Sequence, residues 1–367
     1  MSLALYRKYR PKTLDELLGQ EQVTAVLKNA AATGKLGHAY LFFGPRGSGK
    51  TTAARLLAKL ACCSTRRDKK EFRAKGEPCN ECLACNEIDA GRAVDVIEID
   101  AASNTGVDNV RDIIEGVRLA PSSYPMKVII FDEVHMLSKG AFNALLKTLE
   151  EPPAHALFIL ATTEYDKVPA TIASRAQRFH FRKLPLDIII GKLKTISKTE
   201  KLKIDDAALE LIAALAEGSF RDAESLLGQV TSLAEKVTTE IVEEHLGAVG
   251  FTRVIALAEK ILNGDLKSSL AYLQELNAGG HNVTDLTKEL IHYFRRVLTL
   301  KYNPDLEEMF RHELTTKELE QLKAHIQLFD DKKYIPLLKS MITAYSQMRY
   351  SPFATIPLEI ALIEHLK

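Results

Sequence analysis

The chain reads as an α/β protein, a parallel sheet covered by helices on both faces with purely helical parts behind it, and three observations lead there. Apolar strand-like runs alternate with helical stretches through the first half of the 367 residues, which is the pattern of a parallel sheet. A glycine-rich loop joins one such run to a helix. Beyond Phe179-His180-Phe181-Arg182-Lys183-Leu184-Pro185 the strand signals stop and helical spacing takes over.

His38 to Phe43 is an apolar run expected to be a buried strand, and it ends on Gly44-Pro45-Arg46-Gly47-Ser48-Gly49-Lys50-Thr51, a complete phosphate-loop pattern. Thr52 to Leu60 follows as an amphipathic helix. Backbone N–H groups of such a loop and the start of its helix point at a phosphate chain, where the helix dipole favours negative charge. Lys50 at that helix start opposes the dipole unless an anion is bound, so a nucleoside triphosphate is predicted here.

Further strands are expected at Val94 to Ile99, Lys127 to Phe131 and Ala156 to Ala161, with helices at Asp108 to Leu119 and Lys139 to Glu150. In a parallel sheet ligands bind outside the carboxyl ends of the strands. Val128 to Phe131 delivers Asp132 and Glu133 to that edge. Asp132, with the Thr51 hydroxyl, is placed to hold Mg²⁺, and Glu133 to polarise the attacking water. Past Pro185, Leu209, Ile212, Ala213 and Ala216 recur at helical spacing, as do Leu226, Val230 and Leu233. This divides the chain into a core at 1–182, a small helical domain at 183–246 and a larger helical domain at 247–367.

A net charge of +1 neither demands nor excludes nucleic acid, because a local basic surface can hide in a neutral total. No apolar run approaches a membrane span, and Met1 to Lys8 carries charge where a signal peptide needs its apolar segment. A soluble, cytoplasmic protein without membrane contact is expected. All five cysteines, Cys62, Cys63, Cys79, Cys82 and Cys85, crowd into one short window, which points to thiolate ligands for a metal rather than to a disulfide framework.

Tyr9-Arg10-Pro11 ahead of Gly19-Gln20, the phosphate loop, Asp132-Glu133-Val134-His135-Met136-Leu137, Leu149-Glu150-Glu151-Pro152-Pro153, Ala161-Thr162-Thr163-Glu164, Ser174-Arg175 and Gly218-Ser219-Phe220-Arg221-Asp222 occur in one order. Together they resemble the gamma/tau family of bacterial DNA polymerase III, which are clamp-loader AAA+ ATPases. The resemblance covers roughly the first 230 residues by motif, and the remainder only in length and helical character. It implies an AAA+ core, a helical lid and an all-helical collar. It makes Gly44 to Thr52 the ATP cradle, with Lys50 on the β- and γ-phosphates, and places Tyr9, Arg10 and Pro11 beside the adenine. Thr163 becomes the sensor-1 residue, Arg221 the sensor-2 residue, and Arg175 the arginine finger that completes a neighbouring subunit's site. Ala176 departs from the family's usual cysteine.

The resemblance also implies a zinc module at about 62–86, in which Cys79, Cys82 and Cys85 are joined by a first ligand at Cys63 or Cys62, with Cys63 at the family's position. The insertion from Ser64 to Pro78 carries Arg66, Arg67, Lys69, Lys70, Arg73 and Lys75. Ala101 to Arg111 resembles a region that tracks DNA. The implied cofactors are ATP, Mg²⁺ and Zn²⁺; the implied partners are the delta and delta-prime subunits, further copies in a pentamer, the beta sliding clamp and primer-template DNA. The implied activity is ATP-driven clamp loading in DNA replication. Two alternatives are a non-hydrolysing assembly scaffold and another AAA+ DNA-remodelling motor.

Overall fold

A computed structural model describes residues 4–103, 105–246, 251–311, 314, 316–348, 350–351 and 353–367. Met1 to Leu3, Asn104 of the Ala101 to Arg111 segment, and the expected domain junction at Gly247 to Gly250 lie outside the described residues. The chain divides into two compact units, one of residues 1–184 with Gly218–Asp222, the other of Pro185–Glu217 with Ala223–Lys367.

The first unit is built on five parallel strands: β1 (Ala39–Phe43), β2 (Val96–Asp100), β3 (Lys127–Asp132), β4 (Ala156–Thr162) and β5 (Gln177–His180). Their order across the sheet is β2-β3-β4-β1-β5. Because side chains alternate along a strand, each strand feeds two cores. Tyr40, Phe42, Val128, Ile130, Leu157 and Ile159 pack on one face; Leu41, Ile129, Phe131, Phe158 and Leu160 pack on the other. β4 is buried along its whole length, as its unbroken apolar run requires.

Parallel pairing sets the carboxyl ends side by side. Asp100 of β2 lies opposite Asp132 of β3, and Phe43 of β1 lies opposite Thr162 of β4. The helix Lys50–Cys62 leaves the loop after β1, and Lys139–Glu150 is capped by the Ser138 hydroxyl, which accepts the Ala141 N–H at 3.2 Å.

Apart from one-residue shifts at strand ends, two strands of this sheet differ from expectation. β2 starts at Val96, not Val94, because the buried Asp95 carboxylate turns inward to accept N–H groups from Ser122 (2.8 Å), Ser123 (2.6 Å) and Tyr124 (2.9 Å). β5 was not expected: at this sheet edge only Phe179 is buried, between exposed Arg178 and His180, too weak an alternation to read.

The second unit is helical, with one departure. Lys203–Ile204 pairs in parallel with Lys236–Val237, a two-residue ladder where no strand signal was seen. Its largest core gathers Leu257, Leu290, Tyr293, Leu322 and Leu358, all fully buried. No helix among the described residues is long and apolar enough to cross a membrane.

Candidate nucleotide and metal sites

The loop after β1 is shaped by three glycines in the left-handed half of backbone space: Gly44 (φ +144°), Gly47 (φ +72°) and Gly49 (φ +103°). At Gly44 a Cβ would stand 2.1 Å from the Phe181 carbonyl oxygen, and at Gly47 it would stand 1.7 Å from Ser219 Oγ. The loop therefore lies against the chain leaving β5 and against Gly218–Asp222, the segment carrying Arg221. Gln20, buried, fastens the base: its amide donates to the carbonyls of Ser48 (3.3 Å) and Arg182 (2.9 Å) and accepts the Arg182 N–H (3.1 Å).

Lys50 is 5% exposed and its ammonium donates to the carbonyls of Gly44 (2.9 Å) and Pro45 (2.8 Å). Burial lowers its pKa, partly opposed by Glu133 and Asp132. A cation so poorly solvated favours a tightly held anion. Ser48 is buried, Arg46 is exposed, and Pro45, Thr51 and Thr52 are half-buried.

The Thr51 hydroxyl donates to Asp132 Oδ2 at 2.8 Å, so the helix start and the end of β3 meet. Burial raises the Asp132 pKa, opposed in part by the hydrogen bond from Thr51. Glu133 follows in a left-handed conformation (φ +49°), which turns its carboxylate along the sheet edge. There Glu133 Oε2 accepts the Thr163 hydroxyl at 2.9 Å and the Thr163 N–H at 3.1 Å. The structure thus brings Lys50, Thr51, Asp132, Glu133 and Thr163 into one connected edge.

His135 extends this chain. Its Nδ1 lies 3.0 Å from Thr162 Oγ1 and 3.4 Å from Glu133 Oε2, and its Nε2 lies 3.2 Å from Glu164 Oε1. Sequence reading gave His135, Gln20 and Ser219 no role, since each acts by touching residues remote in sequence.

Arg221 lies with its guanidinium carbon 5.4 Å from the centre of the Tyr6 ring. Tyr9, Arg10 and Pro11 are half-buried beside this region. Burial lowers the Arg10 pKa, and the cations of Arg55 and Arg221 lower it further. Such a gathering of cations favours an anion. Arg175 is held differently: it pairs with Glu150 and donates to the Thr171 carbonyl at 2.6 Å, on the outer end of the helix Lys139–Glu150.

The cysteine window closes into a cluster of Cys63, Cys79, Cys82 and Cys85, whose sulfurs all lie within 4.8 Å of one another. Cys79 and Cys85 sulfurs are 4.0 Å apart and those of Cys82 and Cys63 3.9 Å. A tetrahedral zinc with sulfurs about 2.3 Å away sets them about 3.8 Å apart, so the four residues fit the ion. The Cys79 sulfur also accepts the N–H groups of Glu81 (3.5 Å) and Cys82 (3.3 Å), which fix its position in the knuckle. Cys62 faces away, its thiol reaching the Met126 carbonyl at 3.6 Å, and burial pushes its pKa up to about 12. Lys59, 1% exposed, ties the knuckle to the preceding helix through Asn80 (3.0 Å) and Asp89 (2.5 Å).

Three family models match successive stretches: "DNA polymerase III, delta subunit" over residues 19–185, "DNA polymerase III clamp loader subunit, ATPase lid domain" over 188–236, and "DNA polymerase III subunits gamma and tau domain III" over 237–366. The chain is 42% identical to DNA polymerase III subunit tau of Bacillus subtilis, over 98% of this chain and 62% of that one. It is 38% identical to subunit tau of Escherichia coli, over 99% and 55%. It is 33% identical to DNA polymerase III subunit gamma of Buchnera aphidicola from Acyrthosiphon pisum, over 98% and 97%. The chain thus spans somewhat more than half the length of these tau relatives and nearly all of that gamma relative. With the phosphate loop on a five-stranded parallel sheet, a lid match and a helical third match behind it, the fold is that of an AAA+ protein, and the chain belongs to the gamma/tau family of DNA polymerase III.

Proposed function

We propose that this chain is an ATP-hydrolysing motor subunit of the bacterial clamp loader, working in the cytoplasm to open the beta sliding clamp and load it on primed DNA. The observation that carries the reading is the connected edge beside the phosphate loop, where Thr51 meets Asp132 at 2.8 Å and Thr163 meets Glu133 at 2.9 Å. Lys50 and the N–H groups of Gly44 to Thr52 would hold the triphosphate, with Arg221 reaching it and Tyr9, Arg10 and Pro11 lining the base. Thr51 and Asp132 would hold Mg²⁺, which when bound neutralises charge on the phosphates. Glu133 would accept a proton from the attacking water, and Thr163 fixes its carboxylate at the γ-phosphate end. Cys63, Cys79, Cys82 and Cys85 would hold a structural Zn²⁺.

Arg175 would act on the site of a neighbouring copy, where a cation stabilises charge developing on the transferred phosphoryl group. We take residues 1–182 as the core, 183–246 as the lid and 247–367 as the collar of a pentamer with delta and delta-prime subunits and further copies of this chain. A ridge of exposed Ile356, Ile360 and Ile363 along the helix Thr355–Leu366 supports assembly through the collar. An intact Glu133, Thr163 and Arg175 weighs against a non-hydrolysing scaffold.

The assembled loader should hydrolyse ATP when clamp and primer-template DNA are present. Lys50→Ala should abolish clamp loading, and Glu133→Gln should keep ATP binding while slowing single-turnover hydrolysis by about 10²-fold or more. Clamp loading that survives Lys50→Ala would sink the proposal.

A further inference from the structure

The zinc module carries a basic lobe that none of the chemistry above uses. Its two ends are fixed by ligands of one cluster, Cys63 before the short helix Ser64–Asp68 and Cys79 after Gly76 and Glu77. Its base is pinned. Arg66, buried, donates to the carbonyls of Ala31 (2.7 Å) and Leu60. Glu77 accepts the N–H groups of Leu14 (2.7 Å) and Asp15 (3.1 Å). A Cβ at Gly76 would stand 2.6 Å from the Lys28 carbonyl oxygen, so backbone meets backbone there.

What this base displays is charge. From Arg67 to Lys75 the cations Arg67, Lys69, Lys70, Arg73 and Lys75 face only Asp68 and Glu71, a local excess of +3 in a chain whose total is +1. Lys69, Lys70 and Lys75 are exposed and form no ion pair among the described residues. They border an open cleft of about 510 Å³ together with Glu71 and Phe72, and the Lys75 ammonium lies 5.3 Å from the centre of the Phe72 ring. Arg67 pairs with its neighbour Asp68 at 2.8 Å, as on an ordinary solvated face, but the three lysines that border the cleft have no such partner among the described residues. Lysines around an aromatic face are the arrangement that follows a phosphate backbone while a base stacks on the ring.

We propose that this lobe is a second nucleic-acid contact, taking a single strand through its phosphates on Lys69, Lys70 and Lys75 with a base against Phe72. The inference rests on the reading that the chain works on primed DNA, whose template strand is partly single. The lobe's contact is independent of nucleotide, because a pinned base has no need of ATP to present it.

The test is anisotropy of a labelled oligothymidylate titrated with the full chain without ATP, over a range of salt, in a Lys50→Ala background as well as the unaltered one. The variant Lys69→Ala/Lys70→Ala/Lys75→Ala should weaken binding about tenfold and reduce the slope of log affinity against log salt by about 2, three phosphates at roughly 0.7 each. Phe72→Ala should weaken it about fivefold or more with the slope unchanged. Zinc content should stay the same in both. The Lys50→Ala background should leave all of this intact, so a failure of the motor reading shows as lost clamp loading and a failure of the lobe as unchanged anisotropy. Equal affinity and slope in the triple variant would overturn the proposal. So would competition by polyglutamate as effective as that by unlabelled oligonucleotide, which would mark an acidic protein as the ligand instead.

Discussion

Replacing adjacent cysteines one at a time separates the proposed metal ligand from its neighbour. Cys63 contributes a sulfur 3.9 Å from that of Cys82, close to the roughly 3.8 Å edge of a zinc tetrahedron. Cys62 aims its thiol at the Met126 carbonyl and stands outside the group of four clustered sulfurs, so it has no position on the tetrahedron. Structural zinc sites bind with about 10–16 kcal/mol, so one ligand of four is worth roughly 3–4 kcal/mol, or 10²–10³-fold in affinity. Cys63→Ser should therefore lose zinc to a competing chelator at concentrations that leave the unaltered chain loaded. Cys62→Ser keeps a hydroxyl able to reach Met126 and should cost only about 1 kcal/mol of stability, with zinc retained at one per chain. The assay is metal content after gel filtration, followed by a chelator titration read with a zinc-sensitive dye. If Cys62→Ser loses the metal and Cys63→Ser keeps it, the reasoning fails.

Two further predictions probe the first unit, one at the amino end of β2 and one at the phosphate loop. Burial alone would raise Asp95, but the N–H groups of Ser122, Ser123 and Tyr124, with Lys127, outweigh it and hold the carboxyl below the usual range. A depressed pKa contributes stability that is complete above the unfolded value of about 3.9 and is lost as pH falls through the folded value. Asp95→Asn should lower stability at neutral pH by about 2–3 kcal/mol, and the gap in melting temperature between the two proteins should close below about pH 4; a constant gap across pH would refute the charge argument. For the phosphate loop, Ser219→Gly should restore part of the ATP affinity lost in Gly47→Ala, because it removes the Ser219 atoms 1.7 Å and 2.6 Å from the new Cβ. A residue of about 1–2 kcal/mol should persist for an alanine in left-handed backbone. Gly44→Ala should not be rescued by Ser219→Gly, since its obstacle is the Phe181 backbone carbonyl 2.1 Å away. Equilibrium binding of a fluorescent ATP analogue reads both.

The strands were legible where burial on both faces leaves a continuous apolar run, as at Lys127 to Phe131 and Ala156 to Ala161. They were illegible where one residue carries the burial, as at Phe179 in β5, or where pairing spans two residues, as at Lys203–Ile204. The same division runs through the sites. Gly44 to Thr51, Asp132 and Glu133 declare themselves because their chemistry depends on neighbours in the chain. Gln20 and His135 do not, because a glutamine clamping Ser48 to Arg182, or a histidine set between Glu133 and Glu164, is defined by contacts across the sheet edge.

The phosphate loop, the acids at the end of β3, the crowding of cysteines and the change from sheet to helix could all be read without coordinates, since each is written in spacing along a few consecutive residues. The folded chain alone shows that Cys63 and not Cys62 joins the cysteine cluster, that Thr163 holds Glu133, that Arg175 rests on Glu150, and that the Arg221 segment abuts Gly47. Direction accounts for this: the helix ends at Cys62 and the backbone turns extended at Cys63, so two neighbours in sequence face different partners, and each of the other contacts joins residues remote in the chain.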